Sequence, residues 1–197
     1  SQIIGFSGRK IDDDKENVAK WKHIGKKKNW IYPAYIPNEE TVDSIIKKTG
    51  EVVIVESIGD SMALFENGIK NNLVTFGLGC SSNLISYLSS ASMKRIIIAG
   101  NNDHHKDFNS GYFGSVKTML NLLPFFDFNI LEINLPPNSY NDISDAHTNG
   151  ENINNWYNQS VDRNLFIQQL IQFVSTNSNM FKQQELKTLK RILKSNG

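Results

Sequence analysis

The sequence predicts an α/β protein built on a four-stranded parallel sheet flanked by helices, preceded by a small basic α+β subdomain and followed by C-terminal helices. Three observations predict it. Apolar β-branched runs alternate with segments of helical periodicity between residues 50 and 135. The runs are apolar throughout rather than alternating, as strands buried on both faces require. The 197 residues, 39% hydrophobic and 21% charged, can bury a substantial core, and no stretch approaches 18 uninterrupted apolar residues.

In chain order, Ile3 to Phe6 and Trp30-Ile31-Tyr32 are short apolar runs, read as strands of the basic subdomain. Glu39 to Thr49 carries Val42, Ile45 and Ile46 at helical spacing and stops at Gly50. Val52-Val53-Ile54-Val55 is a buried strand, Ser61 to Asn67 a helix closed by Gly68, and Leu73 to Phe76 a second strand. Asn83 to Ser90 reads as a helix, Arg95 to Ala99 as a strand, Ser110 to Leu123 as a helix and Asn129 to Leu135 as the fourth strand. The Asn-, Asp- and Ser-rich stretch from Pro136 to Asn155 is expected to be a long loop. Val161 to Val174 and Phe181 to Leu193 are helices, the second with Leu186, Leu189, Ile192 and Leu193 on one stripe. The expected division is 1–49, 50–148 and 149–197.

The net charge of +1 conceals segregation. Residues 1–50 hold 10 Lys/Arg against 7 Asp/Glu, residues 51–160 hold 5 against 11, and residues 161–197 hold 6 against 2. A basic entry beside an acidic middle suits a protein that holds polyanion on one surface and divalent metal on another. Lys20 to Trp30 contains five lysines, two tryptophans and no acid. Lysines neutralise phosphates and indoles stack on unpaired bases, a combination suited to single strands. The alternative is a lysine-rich loop whose tryptophans pack inward, and for Trp30 that alternative is preferred. The single Cys80 excludes an internal disulfide and fits a reducing, cytoplasmic setting. The opening SQIIGFSGRK has no initiator Met and no signal-peptide pattern, and is expected to be an internal boundary of a longer chain.

Parallel α/β sheets gather functional residues at the carboxyl ends of their strands. There the sequence places Glu56 and Asp60 after the first strand, Asn101-Asn102-Asp103 after the third and Tyr140-Asn141-Asp142 after the fourth. Clustered carboxylates repel one another unless a cation neutralises them, and oxygen ligands without His or Cys select Mg²⁺ or Mn²⁺. Each acid alone is more often a helix cap or a loop solvator, and Asp60 reads simply as the N-cap of the helix after it.

Taken together these motifs resemble the Toprim (Rossmann-like) fold of bacterial and phage DnaG-type DNA primases. Glu56, Asp60, then Gly77, then Asn101-Asn102-Asp103 follow the order Glu-Gly-x-x-Asp, Gly, Asp-x-Asp. Ile4 to Arg9 is similar to the primase Gly-Phe-x-Gly-Arg motif, Lys20-Trp21 to its Lys-Tyr pair, Lys28 to Tyr32 to its Lys-x-x-Leu-Tyr, and Tyr140-Asn141-Asp142 to a phage Trp-Asn-Asp. Three positions depart: Asn101 replaces an acid, Ser57 a glycine, and His23 an asparagine. The resemblance implies primer synthesis on single-stranded DNA from NTPs by metal-dependent nucleotidyl transfer. It implies catalytic Glu56, Asp60 and Asp103, a metal site drawn from Glu56, Asp60, Asn101, Asp103 and Asp142, and a strand and nucleotide surface of Arg9, Lys20, Trp21, Lys22 and Lys28. It also suggests a replicative helicase as partner, no membrane, and a phage-like source acting in a host cytoplasm.

Other readings stay open. A degenerate Toprim binding module would accommodate Asn101, and a Toprim nuclease or topoisomerase the acids. Gly77-Leu78-Gly79-Cys80-Ser81-Ser82 could be a dinucleotide-binding turn with Asp103 on a ribose. Cys80 could be a nucleophile, and His104-His105 could touch a metal.

Overall fold

The computed structural model describes residues 5–11, 21–77, 79–137, 139–159 and 161–196. Lys20 and the Ile3-Ile4 part of the first expected strand lie outside them, as does the side chain of Trp21.

Strands β3 (Glu51–Val55), β4 (Asn72–Val74), β5 (Arg95–Ala99) and β6 (Leu131–Ile133) form one parallel sheet in the order β4-β3-β5-β6. Alternate residues feed two cores. Val52, Ile54, Ile96 and Ile98 pack on one face, while Val53, Val55, Ile97 and Ala99 pack on the other. That two-sided burial is why these strands read as continuous apolar runs. The first face is covered by α1 (Val42–Thr49), α3 (Ser82–Ser90), α4 (Ser110–Leu122), α7 (Arg163–Thr176) and α8 (Gln183–Asn196); the second by α2 (Ile58–Glu66), α5 (Ile143–Thr148) and α6 (Ile153–Asn158). Among the described residues no helix is long and apolar enough to cross a membrane.

Local chemistry sets the helix ends. Thr41 caps α1, and Gly50 closes it at φ 71°, a left-handed conformation that glycine adopts without strain. Helix α2 begins at Ile58, three residues earlier than its apolar pattern suggests, because Ser57 and Asp60 form a reciprocal capping box. Asp60 is therefore not the N-cap: Ser57, the residue that departs from the primase glycine, is.

Three expectations are corrected. The stretch from Pro136 to Asn155 is not a structureless loop. It contains α5, capped by Asp142, and the start of α6, capped by Asn152, and its sparse apolar residues Ile143, Ala146 and Ile153 are all buried. Trp30-Ile31-Tyr32 is not a strand; a 3-10 turn over Lys27–Asn29 leads into a single bridge from Tyr32 to Val74, and Pro33 supplies no N–H to continue it. The strand absent from the sequence reading is β2 (Trp21–Gly25), which pairs antiparallel with β1 (Gly5–Arg9). Its alternation is hidden because this hairpin exposes Phe6 and Ile24 and has little core of its own.

Candidate active site

A cleft of about 970 Å³ opens at the carboxyl edge of the sheet, between the strand ends and the β1–β2 hairpin. Register explains its basic wall. Ser7 pairs with His23 and Arg9 with Trp21, and Arg9 and His23 both line the cleft. Lys22 pairs with Gly8, on the hairpin's opposite face. An aromatic knot fastens the hairpin to the sheet: Phe76 meets Trp30 edge-on at 5.0 Å, His23 at 5.3 Å and Tyr32 at 5.9 Å. Trp30 is thus core, as its alternative reading had it. Lys27 donates to the Phe76 carbonyl at 3.0 Å. His23 shares a hydrogen bond with Ser7 at 2.7 Å, and partial burial together with Lys27 lowers its pKa from 6.5.

The opposite wall is acidic. Glu56, Asn101 and Asp142 line the cleft, joined by Asp145 and Asn141. The Glu56 carboxylate accepts from the Asn101 backbone N–H, yet burial first, and then repulsion by Asp60, Asp103 and Asp142, pushes its pKa up from 4.5. The Asn102 N–H donates to the Asn141 carbonyl at 2.7 Å, so the loops after β5 and β6 are tied together. Asp142 spends one carboxylate oxygen on the Asp145 N–H at 2.7 Å.

Two of the expected acids do not line the cleft. Asp60 is 2% exposed and works inside the fold, accepting from the Ser57 N–H and hydroxyl and, across to α5, from the Ser144 N–H at 3.2 Å. Asp103 is 5% exposed and turned into the first turn of α4, where it accepts from Lys106 at 2.6 Å, the Gly111 N–H at 3.0 Å and the Ser110 hydroxyl. Burial favours its neutral form, but those donors outweigh burial and hold its pKa below 3.8. Lys28 lines a separate hollow of about 230 Å³ with Lys27 and Ser81. His23, Asn141, Ser144 and Asp145 are cleft residues that were not named as site residues from the sequence; His23, by its slot in the Lys20–Trp30 motif, and Asn141, inside Tyr140-Asn141-Asp142, were signalled, and Ser144 and Asp145 were not.

The geometry also weighs the alternatives. Burial pushes the Cys80 thiol up to about 12, which leaves no thiolate for nucleophilic attack. Asp103, engaged by three donors, is not presented to a ribose. His104 and His105 are exposed and meet only edge to edge at 5.7 Å. Among the described residues no three His, Cys, Asp or Glu side chains converge as a preformed metal cage. The cleft nevertheless offers carboxylates, an amide and mutually repelled charge, a donor set that fits a hard divalent cation better than zinc.

Burial of Asp60 and its repulsion by Asp142 raise its pKa from 3.8 to about 6. The folded protein then keeps a proton that the unfolded chain has lost, so stability is expected to fall as pH rises from about 4 to about 6, by up to about 1.4 kcal/mol per unit. Asp103 and Glu185, held below their ordinary values, act oppositely and lose stabilisation as pH falls through their folded values. A melting temperature that peaks in mildly acidic buffer checks this; a curve rising steadily to pH 7 contradicts it.

The sequence matches no protein-family model and no curated protein. Solved structures do match. The primase of Aquifex aeolicus, with its zinc-binding and RNA polymerase domains, aligns at TM-score 0.64 and 21% identity over 91% of this chain and 41% of that one. A DNA primase domain from Pseudomonas aeruginosa aligns at TM-score 0.65 and 23% identity over 86% of this chain and 51% of that one. A DnaG primase catalytic domain bound to single-stranded DNA aligns at 0.58 and 18%. The fold is that of DnaG-type primase catalytic cores, and the chain spans about half the length, or less, of these three structures.

Proposed function

We propose that this chain, folded like the catalytic cores of DnaG primases, is itself a primase core that makes short RNA primers on single-stranded DNA from NTPs. The observation that carries the reading is one cleft with two walls, Arg9 and His23 on the hairpin facing Glu56, Asn101 and Asp142 on the strand ends. The relatives solved with single-stranded DNA and with DNA carrying a 6-nucleotide overhang support a nucleic-acid ligand. Residues 1–49 would supply the strand-binding surface, 50–148 the chemistry and 149–197 a helical buttress.

Glu56, Asn101 and Asp142 would hold a Mg²⁺ or Mn²⁺ ion, which when bound would neutralise triphosphate charge and orient the attacking hydroxyl. Glu56, its pKa raised above the ordinary carboxylate value by burial and neighbouring acids, is suited to act as the acid or base of the site. Arg9 neutralises phosphate across the cleft. Asp60 is a positioning residue: it holds the start of α2 against α5 and so fixes Asp142. Asp103 positions Asn101 by anchoring the turn into α4. Lys22 on the hairpin's outer face and Lys28 in the hollow beside Ser81 would add phosphate contacts outside the cleft, with Lys20 and Trp21 proposed for the same strand-binding role.

Incubation with single-stranded template, four NTPs and Mg²⁺ or Mn²⁺ tests the reading. Short, alkali-labile products are expected. The second reading, a binding module without catalysis, is favoured by Asn101 at an acid position and by the engagement of Asp103, and it is selected if template and NTPs bind but neither metal yields product.

Charge reversal at Lys22 and Lys28 is expected to weaken single-strand binding and to lower the slope of log affinity against log salt by about 1.4, near 0.7 per lost single-strand phosphate contact. Fluorescence anisotropy over a salt series measures it. An unchanged slope removes both lysines from the binding surface.

A further inference from the structure

A second cleft, of about 810 Å³, opens between helix α7 and the loops that follow β5 and β6. The two clefts share the strand-end loop: Asn101 lines the first, Asn102 and His104 the second. On α7 the lining residues Leu165, Phe166, Gln169, Gln172, Phe173 and Thr176 recur at spacings of three and four, so one stripe of the helix presents rings and carboxamides together. Among the described residues no lysine or arginine lines this cleft, and its carboxylate, Asp162, is spent on the Asn164 and Leu165 N–H groups as the cap of α7, so the walls do not answer a phosphate. They answer a flat, uncharged ligand with hydrogen-bonding edges.

Tyr112, on α4, adds the independent observation. Its ring meets Phe173 edge-on at 4.7 Å, and its hydroxyl is buried with no hydrogen-bond partner among the described residues. An orphaned buried hydroxyl costs stability unless a ligand satisfies it. Burial pushes the phenol up to about 12, which keeps its proton available for donation.

We propose that this cleft binds a nucleobase, seated against Leu165 and Phe173 with its polar edge met by the Tyr112 hydroxyl and the Gln169 and Gln172 carboxamides. A base from a free nucleotide and a base from a strand present the same chemistry. The proposal leans on the primase reading only for the source of the base.

The full ¹⁵N-labelled chain is titrated with adenosine and with uridine, and the Gln169 and Gln172 side-chain amide signals, assigned through Gln169→Ala and Gln172→Ala, are followed. Saturable shifts are expected. Tyr112→Phe is expected to melt no lower than wild type, because it removes an unsatisfied group, and to bind at least about fivefold more weakly. Gln169→Ala, at an exposed position, should weaken binding at unchanged melting temperature. A short single strand that reproduces the shifts, and an abasic strand that does not, assign the base to a strand; shifts with nucleosides but not with the strand assign it to a free nucleotide. Absence of saturable shifts with both nucleosides, or Tyr112→Phe binding as tightly as wild type, overturns the proposal. Failure of primer synthesis leaves these readouts unaffected, so the two readings fail separately.

Discussion

Glu56→Gln is expected to lower primer synthesis about 1,000-fold, the scale of a lost acid–base group, while raising the melting temperature at pH 7. The two effects share one cause. Glu56 is partly buried near Asp60, Asp103 and Asp142, which raises its pKa above 4.5 and makes its charge costly in the folded state. Wild type therefore loses stability as pH rises through about 4.5 toward the folded value, and the glutamine variant does not. Glutamine keeps an oxygen to accept from the Asn101 N–H. The stability gain should vanish at acidic pH, where the wild-type carboxyl is protonated in both states. Calorimetry at both ends of the pH range, alongside a synthesis assay, measures it. A variant that melts lower at pH 7 means the charge is stabilised by something other than a substrate-bound cation.

Gly111→Ala is expected to disable the site from a distance. A side chain there would be driven into the backbone carbonyl of Asn101, which is not a flexible neighbour. The first turn of α4 would have to lift, and with it the Gly111 N–H that Asp103 accepts, so the loop carrying Asn101 would lose its anchor. Overpacking against backbone costs about 3 kcal/mol, or roughly 10 °C for a chain of this size. Synthesis should fall with it. Ser110→Ala, which removes one donor to Asp103 but adds no bulk, should be much milder, and equal damage from the two would mean the hydrogen bond rather than the close approach holds the loop.

The parallel sheet was legible because its strands are buried on both faces and their sequences are uniformly apolar, from Val52 to Val55 and from Ile96 to Ala99. The hairpin partner β2 was not, because Lys22 and Ile24 face outward on a ribbon too thin to show a core pattern. Helices α5 and α6 were obscured by their polar composition; each is six residues long and rests on two buried side chains. At the site, order along the chain brought Arg9, Glu56, Asn101 and Asp142 to one cleft. It could not show which way a carboxylate turns. Asp60 and Asp103 sit next to helix starts, where unpaired backbone N–H groups compete for an oxygen, and in this structure those donors hold both.

We propose that the acidic wall does the chemistry and the basic wall the binding. Asp142→Asn separates them most directly, since asparagine caps a helix as well as aspartate does and α5 should stay in place. Template binding by anisotropy and product formation are measured on one preparation. Binding within about twofold of wild type, with synthesis lower by on the order of 100-fold, is the expected result. Synthesis undiminished in Asp142→Asn, or binding lost in step with synthesis, would contradict it.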